Sequence, residues 1–129
     1  MTDTSFDISE HAVRVYVGDT DAGGVVYYAT YFRFMEAART EWLRALGFSQ
    51  KTLLEQDVQL IVSELNCKFL KSAVLDDELV IKTRIKARGR VAVQLSQEIW
   101  RGDTLLLQAE LKALAIKQST QRPIKWVFG

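Results

Sequence analysis

Hydrophobic and polar residues alternate along this chain with two different periods. From residue 28 to 46, apolar side chains recur every three or four positions, which predicts one long amphipathic helix. Gly47 follows as a typical helix terminator. A weaker pattern predicts a second, short helix over residues 50–56. The apolar stripe of the long helix consists of Tyr31, Phe34, Met35, Ala38, Trp42, Ala45 and Leu46.

Five other segments alternate with a period of two, which predicts strands that bury one face. They cover residues 12–18, 58–70, 78–88, 91–100 and 104–117. Short turns at Gly89 and Gly102 make the last three strands antiparallel neighbours. One apolar sheet face and one helix stripe can cover each other, so we expect an α+β fold. It would be a single domain over residues 1–129, with a five-stranded antiparallel sheet wrapped around one long helix. Its open sheet edges favour self-association.

Composition narrows the class of protein. The net charge of +1 gives no overall field that would attract nucleic acid. Cys67 is the only cysteine, and together with His11 it is too little for a His/Cys metal cluster. The polar segment from Met1 to His11 lacks the apolar core of a signal peptide, and no apolar run approaches the ~18 residues of a spanning helix. We therefore expect a cytoplasmic protein with no membrane span and no nucleic-acid partner.

The loop before the long helix combines groups that can attack a carbonyl. Asp21 can act as a nucleophile or can activate a water. Gly23 and Gly24 lack side chains, so a substrate carbonyl can approach their backbone closely. Free N–H groups at the helix start, near Tyr28, can stabilise the oxyanion, helped by the helix dipole. Together these groups are suited to breaking an ester or a thioester.

The same residue types also form ordinary turns. Aspartate before a helix is usually a cap, and Asp-Gly segments are common in loops. Asp19 fits this structural interpretation better than Asp21 does. From spacing alone, a turn therefore remains an open alternative to a catalytic loop.

The run VGDTDAGGVVYYATYFRFMEAARTEWLRALGF resembles the signature of hot-dog-fold acyl-CoA thioesterases. The pattern D-x-D-x-x-G-x-V-x-Y-x-x-Y is similar to that of the 4-hydroxybenzoyl-CoA thioesterase-like branch, which includes bacterial Tol–Pal-associated enzymes. The similarity covers nearly the whole chain in element order and length. It implies that acyl-CoA is the substrate, with no metal or redox cofactor.

The resemblance also implies roles for individual residues. The catalytic carboxylate of the family corresponds to Asp21. The backbone amide that polarises the thioester carbonyl corresponds to Tyr28, with Gly24, Val26 and Tyr27 beside the substrate. Family members form dimers and often tetramers, with active sites at subunit interfaces, so we expect a homodimer or homotetramer.

Two positions depart from the family pattern. Many close relatives have histidine where this chain has Tyr28, whereas members that act on aromatic acyl groups have tyrosine there. Thr30 stands where asparagine is usual, and Ala29 precedes it. The backbone role of Tyr28 survives these changes, so they leave the acyl group open rather than the reaction type.

A row of basic residues shares one face of the predicted strand at 78–88. The row consists of Lys82, Arg84, Lys86 and Arg88, and Arg90 follows the turn. One interpretation is a solvated face that discourages edge pairing. The other is a surface for the phosphates of coenzyme A, because arginine suits phosphate. The resembling thioesterases use basic residues here, and Arg88 and Arg90 are the candidates.

Other candidates carry less of the argument. Glu36, on the helix, is an alternative catalytic carboxylate, although an ion pair suits it better. Arg39 falls inside the apolar stripe, where its charge needs a partner. Ser63 interrupts an apolar strand face, so it is a candidate for the acyl pocket or a hydrogen-bonded core hydroxyl. Two other functions remain open: a hot-dog dehydratase, which typically needs a histidine near this loop, and a non-catalytic scaffold that holds an acyl-carrier protein or a lipid-synthesis enzyme.

Overall fold

The computed structural model describes residues 8–128, which form two helices and six strands. In chain order they are β1 (Ser9–Arg14), α1 (Tyr28–Ala45), α2 (Gln50–Glu55), β2 (Val58–Phe69), β3 (Glu78–Arg88), β4 (Ala92–Arg101), β5 (Thr104–Lys117) and β6 (Arg122–Pro123). Residues 1–7, most of the segment for which we predict no signal peptide, lie outside this range. Neither described helix combines the length and the apolar character needed to cross a bilayer.

The strands form one antiparallel sheet in the order β1-β3-β4-β5-β2. The predicted turns join β3 to β4 and β4 to β5, with Arg88 opposite Val93 and Arg101 opposite Thr104. The two-residue β6 adds a short pairing to β5 that the sequence did not predict. The expected architecture, a curved antiparallel sheet around one long helix, is confirmed. Strands β1 and β2 form its two edges.

Helix α1 packs its apolar stripe against one face of the sheet. Five predicted stripe residues are buried: Tyr31, Phe34, Met35, Ala38 and Trp42. The prediction is wrong for the last turn, because Ala45 is exposed and Leu46 is 42% exposed, whereas Leu43 is buried. The short helix α2 lies beside α1 there, and Gln50 Nε2 donates to Thr40 Oγ1 at 3.3 Å. Because α2 packs beside the last turn of α1, the residue buried there is Leu43 rather than the Ala45 and Leu46 that the helical period predicts.

The first strand lies earlier in the chain than predicted. It covers Ser9–Arg14 rather than residues 12–18, and a 3-10 turn occupies Val17–Asp19. Val15 is fully buried as expected, but Val17 is 73% exposed. The buried carboxylate of Asp19 accepts a hydrogen bond from the Tyr16 amide at 2.8 Å. Because this bond closes the chain into a turn, the alternation of valines does not continue as a strand.

Strand β2 contains a bulge that breaks its predicted apolar face. Its register against β5 shifts between Val62 and Glu64, at the position of Ser63. An extra residue in one strand reverses which side chains face the core. Leu60 therefore packs against the core before the bulge and Cys67 after it, although the two differ by an odd number of residues. Burial raises the pKa of the Cys67 thiol above its usual value, because this small side chain packs against the core.

Gly47 ends α1 in the left-handed conformation that its position predicts. Its φ is +96°, a backbone conformation that residues with a side chain rarely adopt. We expect Gly47→Ala to lower the free energy of unfolding by about 1–2 kcal/mol, because the added Cβ strains this backbone. Gly18→Ala is the matched control, since Gly18 lacks a positive φ and has open space around it. Equal stability of the two variants in chemical denaturation would contradict this account.

Candidate active site

The loop that carries Asp21 is a tight turn closed by its own backbone. The Asp21 amide donates to the Val25 carbonyl at 2.9 Å, and the Gly24 amide donates to the Asp21 carbonyl at 3.0 Å. Gly24 has a φ of +78°, which only glycine adopts readily. A Cβ built on Gly24 would meet no protein atom within 4 Å. The backbone at Gly24 therefore faces open space, and its place beside a substrate stays a prediction.

Both ends of the loop are held by the protein. The Val26 amide donates to the Ala73 carbonyl at 2.9 Å, and the Tyr27 amide donates to the Asp19 carbonyl at 3.2 Å. The Asp19 carboxylate also pairs with Arg33 of α1. Asp19 thus has a structural role in positioning the loop, in agreement with its interpretation as a turn residue.

The Asp21 side chain is exposed and only partly occupied by hydrogen bonds. Its Oδ1 accepts from the Gly23 amide at 2.8 Å, an aspartate turn that fixes the carboxylate. Within residues 8–128, no donor lies within hydrogen-bond distance of Oδ2. One oxygen is therefore held while the other is open. This geometry is compatible with both interpretations of Asp21. Its bonded oxygen stabilises the turn, and its open oxygen is available for reaction.

The first turn of α1 offers an unoccupied donor beside the loop. Tyr28 is the first residue of the helix, and no side chain caps this end. The amides of Val26 and Tyr27 are bonded to carbonyls, so they are not free to bind an oxyanion. The Tyr28 amide has no acceptor among the described residues, as expected at a helix start. It is the first free N–H after the loop, and the helix dipole adds positive potential there.

These groups line one open cavity of about 690 Å³. Its walls are Asp21, Val25, Val26, Tyr27, Tyr28, Tyr31, Phe69, Leu70, Lys71 and Ser72. The sequence predicted the first half of this wall but not residues 69–72, which are the last residue of β2 and the three residues after it. Their approach is a tertiary contact, held where the Leu70 and Lys71 amides both donate to the Leu106 carbonyl. No local pattern in the sequence marks them as part of the site.

Aromatic rings form one side of the cavity. The rings of Tyr27 and Tyr28 lie 4.9 Å apart between centroids, and Tyr28 meets Phe69 edge-on at 6.0 Å. A hydrogen bond with Tyr28 raises the pKa of the Tyr27 hydroxyl. Burial raises the pKa of Tyr31, whose hydroxyl oxygen accepts from the Ala73 amide at 2.9 Å. These phenols therefore stay neutral at physiological pH, and the wall can hold an uncharged acyl group.

Ser63 and Glu36 lie away from this cavity. Ser63 is exposed on the edge strand, and its hydroxyl donates to the Lys112 carbonyl at 3.4 Å. The alternative of a core hydroxyl is therefore wrong, while its part in substrate binding stays a prediction. Glu36 lines a different cavity, on the far half of α1. The ion pair expected for Glu36 is absent among residues 8–128, whereas Glu41 pairs with Arg44.

The basic residues of β3 divide into two groups. Lys82 lies over the ring of Trp100, and Lys86 pairs with Glu110, so both ammonium groups already have a partner within the protomer. Arg88 and Arg90 are exposed, and no described carboxylate lies within 4.0 Å of them. They lie at the opposite end of β3 from the Asp21 loop, roughly 30 Å away along the strand. A single protomer therefore does not bring Arg88 or Arg90 to Asp21.

A family model and the most similar curated proteins all relate this chain to thioesterases. Residues 23–108 match the model of the thioesterase superfamily. An acyl-CoA thioesterase YbgC from Haemophilus influenzae is 38% identical over 96% of this chain and 90% of its own. An acyl-CoA thioester hydrolase YbgC from Escherichia coli is 40% identical over 86% of this chain and 84% of its own.

Solved structures agree with these relatives. A probable thioesterase from Bartonella henselae superposes with a TM-score of 0.88 and 32% identity, covering 93% of this chain and 99% of that one. A DHNA-CoA thioesterase from Staphylococcus aureus superposes with a TM-score of 0.86 and 26% identity, covering 92% and 80%. The resemblance of this chain to hot-dog-fold acyl-CoA thioesterases and the prediction of a thioesterase enzyme are thus confirmed. The chain belongs to the thioesterase superfamily.

Proposed function

We propose that this protein hydrolyses an acyl-CoA thioester to a free acid and coenzyme A. The proposal rests on one observation: two residues that each keep an atom free of hydrogen bonds line one cavity. Asp21, which has a free carboxylate oxygen, and Tyr28, which has a free amide, line the same cavity. A reactive carboxylate and an oxyanion donor are the two groups that acyl transfer needs. The relatives named acyl-CoA thioesterase support coenzyme A as the leaving group.

Two routes through Asp21 lead to the same products. In the first, the carboxylate attacks the thioester carbonyl and forms an acyl anhydride, with coenzyme A leaving as the thiolate. Water then cleaves the anhydride and restores the carboxylate. In the second, Asp21 removes a proton from a water that attacks the carbonyl directly. In both, the Tyr28 amide donates to the carbonyl oxygen as its negative charge develops, and no metal or redox cofactor takes part.

A homodimer formed through β2 supports this reaction geometrically. Strand β2 is a twelve-residue edge of the sheet. Its exposed apolar side chains include Val62, Leu65 and Phe69, and an apolar edge favours pairing with another strand. We propose that two copies pair along this edge in antiparallel fashion. Ser63 then lies at the subunit boundary, which is where it could reach a bound substrate.

Such pairing brings Arg88 and Arg90 to the opposite subunit's site. In one protomer, the start of β2 and the β3–β4 turn lie at one end of the sheet, while Phe69 and the Asp21 loop lie at the other. Antiparallel pairing of two β2 edges reverses these ends. Arg88 and Arg90 of one copy then lie at the same end as Asp21 of the other. This arrangement makes them candidates for the coenzyme A phosphates.

Removing these two arginines should weaken binding of the nucleotide half of the substrate. We expect Arg88→Gln together with Arg90→Gln to raise KM for acyl-CoA by about tenfold, because exposed charge contacts are modest. For the matching acyl-pantetheine, which lacks the nucleotide, KM should not change. Arg84→Gln is the matched control, an exposed arginine of the same strand. An equal rise of KM for both substrates would contradict the phosphate role.

The direct test is thiol release from purified protein with a panel of acyl-CoAs. The panel should include short aliphatic, long aliphatic and benzoyl-type groups, because the aromatic wall is compatible with each. Hydration of an enoyl thioester should be absent, since no histidine lines the cavity within the described chain. If no acyl-CoA in the panel is hydrolysed and the protein instead captures an acyl-carrier protein, the scaffold hypothesis would replace the proposed hydrolysis.

A further inference from the structure

The last described residues, 124–128, lie at the end of the sheet that carries the β3–β4 turn. The Ile124 amide donates to the Ala115 carbonyl of β5 at 2.9 Å, and the Trp126 amide donates to the Arg90 carbonyl at 2.9 Å. We call residues 124–128 the C-terminal strap. Because it bonds to β5 at one point and to the turn at another, the strap connects β5 with the segment that carries Arg90.

Aromatic packing anchors the C-terminal strap to the core. Trp126 and Phe128 are both buried. The ring of Trp126 stacks with that of Trp42 in α1 at 6.5 Å between centroids, and Phe128 meets Phe48 edge-on at 5.0 Å. The rings of Trp126 and Phe128 also meet edge-on at 5.2 Å. Because aromatic pairs of this kind add to the stabilisation from burial, the strap is held in one position against the sheet.

The strap gives Arg90 a support that the β3–β4 turn does not provide. The Gly89 amide donates to the Ala92 carbonyl at 2.7 Å and closes this turn. Arg88 lies within β3 and is paired with β4, so the sheet fixes its backbone. Arg90 lies between the two strands, and within residues 8–128 its only backbone hydrogen bond comes from Trp126. The two candidate phosphate ligands are therefore fixed by different parts of the chain.

We propose that Trp126 is a positioning residue: by fixing the Arg90 backbone, it holds the Arg90 guanidinium ready for a phosphate of coenzyme A. This role rests on the proposed hydrolysis of acyl-CoA, in which Arg90 is a candidate for those phosphates. An arginine side chain has much rotational freedom to lose on binding, and a fixed backbone reduces the total loss. Arg88 does not need the strap, since the strands already fix it. Trp126 therefore acts on substrate affinity through Arg90.

The ratio of KM for an acyl-CoA to KM for the matching acyl-pantetheine measures binding of the nucleotide half. Trp126→Ala removes the ring that stacks on Trp42 and should raise this ratio about threefold, because Arg88 still contributes. Trp126→Phe keeps an aromatic ring and should keep the wild-type ratio. Val127→Ala is the matched control, since Val127 is 61% exposed on the same strap. A change that merely loosens the core would raise both KM values and leave the ratio unchanged.

Two arginine backgrounds test whether the effect passes through Arg90. In an Arg90→Gln protein, Trp126→Ala should leave the ratio unchanged, because the guanidinium that the strap positions is gone. In an Arg88→Gln protein, the rise should persist. Phe128→Leu loosens the strap more mildly and should raise the ratio about twofold, so it serves where Trp126→Ala fails to fold. An unchanged ratio in a folded strap variant, or an equal rise in both backgrounds, would overturn the proposal.

Calorimetric titration of coenzyme A itself separates this role from the proposed hydrolysis. The titration needs no turnover, and Trp126→Ala should weaken coenzyme A binding about threefold. A protein that releases no thiol from acyl-CoA would overturn the proposed function and leave the titration to decide the role of the strap. A protein that hydrolyses acyl-CoA but binds coenzyme A equally well with and without the Trp126 ring would lose only the role of the strap.

Discussion

Replacement of Asp21 with asparagine is expected to lower kcat/KM for acyl-CoA hydrolysis about a thousandfold, within the range for loss of a positioned base. The asparagine oxygen can still accept the Gly23 amide, so the loop keeps its turn. Its neutral amide can neither attack a carbonyl nor take a proton from water. The change thus removes the reactive oxygen while it preserves the local structure.

Thiol release and thermal unfolding, measured on the same preparation, check this expectation. The melting temperature should match that of the wild type, because Asp21 is exposed and makes no contact with the core. Asp103→Asn is the matched control, an exposed aspartate of the β4–β5 turn. It loses the same charge outside the cavity and should retain full activity. Wild-type turnover in the Asp21→Asn protein would remove Asp21 from the mechanism and return it to its turn role.

Tyr28→Pro should lower kcat about a hundredfold to a thousandfold, the usual effect of deleting one oxyanion donor. Proline has no N–H, yet it is well tolerated at the first position of a helix. The preceding residue, Tyr27, has φ −64° and ψ 128°, a conformation that proline accepts in its neighbour. The substitution therefore removes the free amide and leaves α1 in place.

Tyr28→Ala separates the amide from the ring. It removes the same aromatic side chain, whose residue is 58% exposed, but keeps the N–H. We expect this variant to change KM according to the acyl group, and to retain a kcat far above that of Tyr28→Pro. Similar losses of kcat in the two variants would show that the ring, not the backbone, carries the effect. Circular dichroism of both proteins checks that the helix content is unchanged.

The order and type of the long elements could be predicted because each has its own period. The stripe from Tyr31 to Trp42 repeats as a helix does, and the later strands alternate between short turns. Predictions failed where a local hydrogen bond or a neighbouring helix outweighed the period. Asp19 ends the valine alternation by bonding to Tyr16, and α2 lies beside the last turn of α1 that contains Leu43.

The site divides in the same way. The Asp21 loop and the start of α1 are adjacent in sequence, so their combination is visible without a structure. Residues 69–72 come from a distant segment that joins the cavity through pairing with β5. The bulge at Ser63 changes which residues of β2 face inward, and no composition signal marked it.

The sequence by itself determined the α+β class, the candidate loop around Asp21 and the family, because these depend on local periodicity and on a contiguous motif. Only the tertiary structure decided which groups remain free to act. Hydrogen bonds occupy the amides of Val26 and Tyr27 and leave that of Tyr28 open. Hydrogen bonds also leave donors of Arg39 unused in the cavity on the far half of α1. The length of β3 separates Arg88 from Asp21. Hydrogen-bond occupancy and distance are properties of the packed chain, because distant segments supply the acceptors and set the spacing.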